Sequence, residues 1–483
     1  MESRVLKTSI GSFLQMGLLS LSSLIITIAL SRLLSVEEFG VFSLANALVF
    51  FMIIVFTGGI PSSMARFISL SQDGLYRHKV ISNGFKILVP WILICSGLYL
   101  LFYQLIVTYF FNDYYFSSLG VIIFSIAIIE VARQLIEKLS HGISRMSVAA
   151  ELSAYSSVFL VILLMFAAWR YSSAEAVLIA KILALLLPIP WVVMKLARVF
   201  NQAVIEEKAV AVSSREIVLY GIPLSIVALA AYCFLQADLL FLGRYWDASY
   251  VGWYSICVFV YMRLTIVPRA IGNGLAPYLA RVGYMPSSMA KLERGMIYAL
   301  AFSTPVALFC AAEPENLLII VFGEKYAPAA PIFMMLSLYF LMASLLAVLN
   351  PILDFSGKAS ARAVGVVLGG GVNIALDILW VPVYHMEGAA WATLIGYFVF
   401  FIIVMINVER KVIWHLFYSK KIRSLVFVCF LVALVTLVIK YFLSNYSYML
   451  TLLTFVFLYP ILLFVTKVFG LQDINEIKTF FPR

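Results

Sequence analysis

This chain of 483 residues has little charge. Asp, Glu, Lys and Arg make up 12% of it, roughly half their share in a soluble globular domain. Cysteine is scarce too. Cys95, Cys233, Cys257, Cys310 and Cys429 all fall in apolar runs and none makes a CxxC pair, which removes disulfide scaffolds and cysteine metal clusters. The four histidines, His78, His141, His385 and His415, sit in or beside polar connections without metal-ligand spacing. The glycines 369–371 lie inside an apolar run with no following Lys-Ser/Thr. They are no phosphate loop; close helix packing or a flexible joint remains. Polar connections are short, the longest being 201–215 and 409–423. No sizeable external loop exists on which a membrane-embedded enzyme could gather acids, Arg or His, and nothing resembles a catalytic triad.

What the chain has is hydrophobic length. It is 64% hydrophobic with a mean hydropathy of +1.03. A helix needs about 20 apolar residues to cross about 30 Å of hydrocarbon. Fourteen stretches qualify: 9–34, 41–64, 84–109, 116–138, 147–169, 174–196, 217–243, 251–279, 295–312, 329–349, 361–383, 387–408, 424–443 and 447–468. The runs are continuous, without the ten-residue alternation of a membrane barrel, so the expected fold is all-α and polytopic. The opening MESRVLK is basic, but the apolar run after it is too long for a cleavable signal and lacks a small-residue cleavage site. The first span is expected to stay.

The few charges are sorted by side. Of 34 Lys and Arg, 25 fall on one side if the N-terminus is cytoplasmic, and five (Arg32, Arg170, Arg244, Lys325 and Lys440) on the other. This positive-inside pattern puts both termini in the cytoplasm of a cell whose inner membrane holds the protein. The net charge of +10 then serves orientation and anionic lipid at the inner leaflet, and no nucleic-acid partner is expected.

One phrase occurs twice, 212 residues apart. Residues 30–45 read LSRLLSVEEFGVFSLA and 242–257 read LGRYWDASYVGWYSIC, pairing Arg32 with Arg244, Gly40 with Gly252 and Ser43 with Ser255. Each copy closes the first span of a half and opens the second, as in a duplicated membrane bundle. The expected organisation is a six-helix bundle at 1–200, a cytoplasmic linker at 201–215, and a second six-helix bundle at 216–408. A basic loop at 409–423, two further transmembrane helices at 424–470 and a cytoplasmic tail at 471–483 complete it.

Charges inside spans are costly and are functional candidates by default. Asp238 on span 7, Asp377 on span 11 and Thr393 on span 12 share one depth, roughly 9 Å below the outer surface at about 1.5 Å per residue. Asn373 lies four residues before Asp377 on the same helix face. With the carbonyl of Ala389, one turn before Thr393, these groups make an all-oxygen set suited to a hard cation. The alternatives are proton coupling at the acids or a purely structural network. The repeat equivalent of Asp238 is Ile26, so the cluster is one-sided. The cations within spans are Arg263 near the midplane, Arg269 deeper toward the cytoplasm, Lys181 and Lys86. Arg269 and Lys86 are equally placed to snorkel, whereas Lys181 favours a cavity. Glu130 and Arg133, one turn apart, are expected to pair locally. Prolines 61, 90, 188, 190, 223, 268, 305 and 382 lie inside spans or at their ends and are expected to kink or end helices there.

Three passages carry a family resemblance: LSRLLSVEEFGVFSLANAL (30–48), VFGEKYAPAAPIFMMLSL (321–338) and VNIALDILWVPVYHMEGAAWATLIGYF (372–398). They resemble the polysaccharide flippases, Wzx-type and related lipid-linked glycan flippases, of the multidrug/oligosaccharidyl-lipid/polysaccharide exporter superfamily. His385 departs from that pattern, where a Gly is common. The resemblance implies a flippase with two bundles in a V around a cationic cavity, moving a prenyl-(pyro)phosphate-linked oligosaccharide outward by alternating access. Arg263, Arg269, Lys181 and Lys86 would then meet the phosphate or the cavity. It is similar as well to sodium-dependent lipid II flippases, whose pattern of an Asp on span 7, Asn-xxx-Asp on span 11 and Thr on span 12 falls on Asp238, Asn373, Asp377 and Thr393. Their Arg-Asp pair on span 1 is replaced here by Ile26-Thr27, which favours another carrier lipid. No cofactor is implied beyond sodium as a coupling ion. The partners implied are the lipid-linked glycan and membrane lipid, with the chain a monomer and a glycan polymerase the one protein partner considered. Two other classes remain: a small-molecule/cation antiporter of the multidrug branch, which usually stops at twelve spans, and a membrane-embedded glycan-processing enzyme.

Overall fold

A computed structural model describes residues 20–468 apart from 72, 112–116, 144–145, 202–211, 283–285, 356 and 443–446. The expected N-terminal segment before residue 20, most of the linker and the tail 471–483 lie outside the described residues. In chain order the helices are α1 (Ser20–Leu33), α2 (Val36–Thr57), α3 (Ile60–Ser69), α4 (Gly74–Phe111), α5 (Ser117–Gly142), α6 (Met146–Tyr171) and α7 (Ala174–Leu186). There follow α8 (Ile189–Asn201), α9 (Ser214–Tyr232), α10 (Asp238–Tyr245), α11 (Ala248–Leu264), α12 (Ile266–Val282), α13 (Pro286–Ala312) and α14 (Pro314–Phe322). The chain goes on through α15 (Ala330–Phe355), α16 (Ala359–Asn407), α17 (Arg410–Tyr418), α18 (Lys420–Phe442), α19 (Ser447–Leu453) and α20 (Tyr459–Val465). Among the described residues there is no strand.

Twelve of these stretches are long and apolar enough to cross a membrane. The 49-residue α16 is broken at His385 and serves as two passes. α1 covers the described end of the first expected span, and each of the other thirteen expected spans has its helix. The boundaries move for identifiable reasons. α2 begins five residues before the expected 41, because the Ser35 hydroxyl accepts the Glu38 N–H at 3.1 Å and caps it. α9 opens with a capping box, Ser213 and Glu216 each satisfying the other's backbone N–H. Span 6 is divided at Leu187-Pro188 into α7 and α8. Span 8 bends at Thr265 into α11 and α12, where Pro268 has no N–H to offer the Leu264 carbonyl.

The chain divides into two compact units, Met1–Ser255 and Ile256–Arg483. In the first, α2 is central and α4 peripheral: their most apolar windows are 61% and 22% buried. Leu93, Leu101 and Leu105 of α4 are exposed, an apolar face that suits lipid and not water. The repeated phrase meets itself here. A Cβ on Gly40 would stand 1.8 Å from the Ala248 carbonyl oxygen, and one on Gly252 would stand 2.4 Å from that of Val36. The Ser255 hydroxyl lies 3.1 Å from the Ser43 hydroxyl. The two copies cross with reciprocal contacts, as elements related by a local two-fold must, and the backbones come so close that neither glycine can carry a side chain. α9 is held against α3 in the same manner. Ser63 donates to the Ile217 carbonyl at 2.8 Å, and a Cβ on Gly59 would reach the Gly221 carbonyl oxygen at 2.2 Å.

In the second unit α12, α13, α15 and α16 pack together, with Gly272 tight against the Ala347 carbonyl. α18 and α20 join α13 through Leu425, Val428, Val432, Tyr459 and Leu463. A buried acid, Glu313, ties α18 and α19 to the end of α13. It accepts from Asn316 at 2.7 Å and Thr451 at 3.3 Å, and the Lys440 ammonium lies 3.7 Å away. Of the glycines 369–371, the last faces open space, so helix contact does not require it.

His385 adopts φ 52°, ψ −131°, a left-handed region that costs a residue with a Cβ about 1–3 kcal/mol. That is the physical reason a Gly is common at this turn. Three residues on, Gly388 abuts the other arm, its absent Cβ 2.6 Å from the Trp380 carbonyl oxygen. His385→Gly should relieve the backbone and raise the melting temperature of the purified protein by a few degrees. An unchanged or lower value would mean that the histidine's own contacts outweigh the strain.

Candidate functional site

In the first unit Asp238 is buried at the start of α10. It follows a five-residue π-helical turn, Cys233–Ala237, in an otherwise continuous helix from α9. Such turns shift the side chains beyond them by a fraction of a turn and recur at functional sites. The hydroxyl of Tyr254, itself fully buried on α11, donates to the Asp238 carboxylate. Tyr232 donates to the Ala47 carbonyl at 3.1 Å. Lys181 donates to the side-chain oxygen of Asn46 on α2, and Asn46 in turn donates to the Phe42 carbonyl at 2.6 Å. Glu130 and Arg133 pair at 3.2 Å as expected. Lys86 is exposed on α4, the position of a snorkelling side chain. α2 thus presents Ser43, Asn46 and the Ala47 carbonyl along a polar strip that takes hydrogen bonds from α7, α9 and α11.

In the second unit Asn373, Asp377, Ala389 and Thr393 are all buried on α16. Asn373 and Asp377 are one turn apart before the His385 break. Ala389 and Thr393 are one turn apart after it. The arms touch at Trp380 and Gly388, three residues from Asp377 and five from Thr393. One carboxylate, one amide, one hydroxyl and one backbone carbonyl are thus buried on a single helical hairpin. Asp238 belongs to the first unit and these four to the second.

Arg263 lies near the end of α11, with its guanidinium carbon 4.9 Å from the centre of the Phe259 ring. Its Nε is buried and makes no hydrogen bond among the described residues. Nor does any described acid form an ion pair with it. Arg269, beyond the bend at Thr265, is exposed on α12. The guanidinium is thus half-buried on an apolar helix and backed by a ring, with its Nε short of an acceptor among the described residues.

Tyr254, Asn46 and Glu313 escaped the sequence reading. Tyr254 lies inside the repeated phrase but looks like core, and Asn46 has no charge to draw attention. Glu313 stands at a span end, where acids are ordinary. If Tyr254 and Asp238 act as one unit, each single change (Tyr254→Phe, Asp238→Asn) should destabilise the protein by about 1–3 kcal/mol. The double variant should cost clearly less than their sum. Thermal unfolding of the four proteins in detergent closes the cycle, and strict additivity would show the contact to be energetically idle.

Residues 6–282 match the family described as "Polysaccharide biosynthesis protein". A membrane protein of Methanocaldococcus jannaschii, MJ1068, is 27% identical over 198 residues, which are 41% of this chain and 38% of that protein. The match therefore spans well under half of that relative's length. Among solved structures, the lipid II flippase MurJ in an inward closed conformation superimposes with a TM-score of 0.73 at 13% identity, covering 95% of this chain and 98% of the other. An inward-facing multidrug resistance MATE family transporter of the MOP superfamily gives 0.57 at 12% identity, covering 84% and 99%. The MATE multidrug transporter DinF-BH gives 0.56 at 15% identity, covering 87% and 97%. At these identities the likeness establishes the fold, that of integral membrane transporters. With more than half of its length matched, the chain belongs to the polysaccharide biosynthesis protein family.

Proposed function

We propose that this protein is a flippase for a prenyl-(pyro)phosphate-linked oligosaccharide, embedded in the cytoplasmic membrane with both termini inside. Two bundles, 1–200 and 216–408, alternate between inward and outward access. The carrier phosphate is held by Arg263, with Arg269 and Lys181 along its path. The observation that carries this reading is Arg263 itself, a cation within a membrane span, half-buried against Phe259, whose Nε has no acceptor among the described residues. A buried charge without a counter-charge is costly unless something supplies the counter-charge, and a phosphate grips a guanidinium through two hydrogen bonds at once. Family membership supports a glycan-bearing substrate. The small-molecule antiporter reading gives no task to α18–α20, which the flippase reading uses as a groove for the prenyl tail.

Arg263→Ala should lower glycan export about ten- to hundredfold, for the about 1.5–3 kcal/mol of a charged hydrogen bond, with protein level and melting temperature unchanged. Arg263→Lys should restore part of it, since an ammonium keeps the charge and loses the fork. Full export by Arg263→Ala in a strain dependent on this protein would remove the residue from the substrate path.

The coupling ion in this proposal is sodium, held by Asp377, Asn373, Thr393 and the Ala389 carbonyl. A ligand that binds only the folded protein raises its melting temperature. Sodium should therefore raise it in detergent and potassium should not. Asp377→Asn should abolish most of the shift, and Thr393→Ala should weaken it less. Equal melting in the two ions would overturn sodium coupling, and a pH-dependent shift lost in Asp377→Asn would assign the role to protons.

A further inference from the structure

α17 is a nine-residue helix between two spans. Only Val408 and Glu409 separate it from α16, and only Ser419 from α18. Chained to transmembrane helices at both ends, it has nowhere to lie but at the level of the membrane surface.

One face is fixed to the protein. Val412 is fully buried. The His415 Nε2 lies 2.9 Å from the Glu293 carboxylate of α13, and the Ser419 hydroxyl donates to the other oxygen of that carboxylate. The opposite face carries Arg410, Lys411, Trp414, Phe417 and Tyr418, the spacing of one helical stripe. Trp414, Phe417 and Tyr418 are 55%, 69% and 61% exposed, and the Trp414 and Tyr418 rings stack with centroids 5.4 Å apart. Arg410 and Lys411 stand at one end of this aromatic ridge, and Lys420 is exposed just past the other. The one nearby acid on α13, Glu293, is taken up by His415 and Ser419. Water would not tolerate three aromatic side chains on one face of a short helix, and hydrocarbon would not tolerate the cations. The headgroup layer accepts both: rings settle at the boundary of the acyl chains and cations reach phosphates.

We propose that the exposed face of α17 is a binding surface for anionic phospholipid headgroups, with the ridge of Trp414, Phe417 and Tyr418 seated at the acyl boundary. Arg410, Lys411 and Lys420 select lipids with net negative charge. The α13 clamp through Glu293 holds the helix at a fixed roll, so that this face and no other meets the lipid. The surface does not depend on what the protein transports.

The test uses the full-length protein in nanodiscs, with bimane attached at Phe417→Cys; the five native cysteines are buried. Phosphatidylcholine discs contain a minor fraction of either brominated phosphatidylglycerol or brominated phosphatidylcholine, with bromine near the carbonyl or near the methyl end of the chain. Bromine near the carbonyl should quench best, and phosphatidylglycerol should quench more than phosphatidylcholine at equal mole fraction. Replacing Arg410, Lys411 and Lys420 by Gln should erase the difference, with about a fivefold weaker preference per cation removed, the equivalent of about 1 kcal/mol each. Lys411→Gln alone should lose about that single factor, which keeps the test decisive if the triple variant folds poorly. Equal quenching by both lipids would overturn the anion selectivity. Quenching by aqueous iodide with none from lipid would assign the face to water or to a protein partner. Strongest quenching from the methyl end would place the helix within the hydrocarbon. Any of these three results refutes the proposal.

Discussion

Hydrocarbon cannot hydrogen-bond, and most of this molecule follows from that. Every backbone N–H and carbonyl within the spans must find its partner inside its own helix, so the chain is helical throughout its described apolar runs. The same solvent gives no hydrophobic reward for bringing two apolar helices together, so their contact rests on close packing and hydrogen bonds. The helices accordingly touch where side chains are small: Gly40 and Gly252 on each other's neighbouring carbonyls, Gly59 on Gly221, Gly272 on Ala347. Where a polar group is buried, it is commonly a cross-helix tie, as with Ser63 to Ile217 and Tyr254 to Asp238.

Against this background the buried ionisable groups fall into kinds. Glu313 and Lys440 fasten α18 and α19 to α13, a structural task with Thr451 and Asn316 completing the shell. Lys181 is held by Asn46, and the Glu130–Arg133 pair is local. Asp238 is held by Tyr254, after a π-helical turn that sets its direction. Arg263 differs, because an aromatic ring and not an acid stands beside it. Under the proposed function, a charged carrier would supply the counter-charge and take it away again on leaving.

The crossing of the repeated phrase links the duplication to the fold. Two segments of related sequence meet through the same residues, so the contact is self-complementary, and its strength lies in backbone proximity with one Ser–Ser contact.

The chain by itself determined the class, the spans, the charge bias, the duplication and the family likeness. Each of these depends on local composition or on patterns along the chain, which hydropathy and the cost of buried charge make readable. Asp238, Asp377, Asn373, Thr393 and Arg263 stood out for the same reason: a polar residue within an apolar run is visible without knowing its neighbours. Only the tertiary structure decided what those residues touch. Tyr254 finds Asp238 across 16 residues, Lys181 finds Asn46 across 135, and Thr451 finds Glu313 across 138. Nothing local marks such partners, because a tyrosine, an asparagine or a threonine costs little in a helix whether or not it is paired. The left-handed backbone of His385 and the π-helical turn before Asp238 were likewise set by the packing around them, which can impose on a segment a geometry its own residues would not choose.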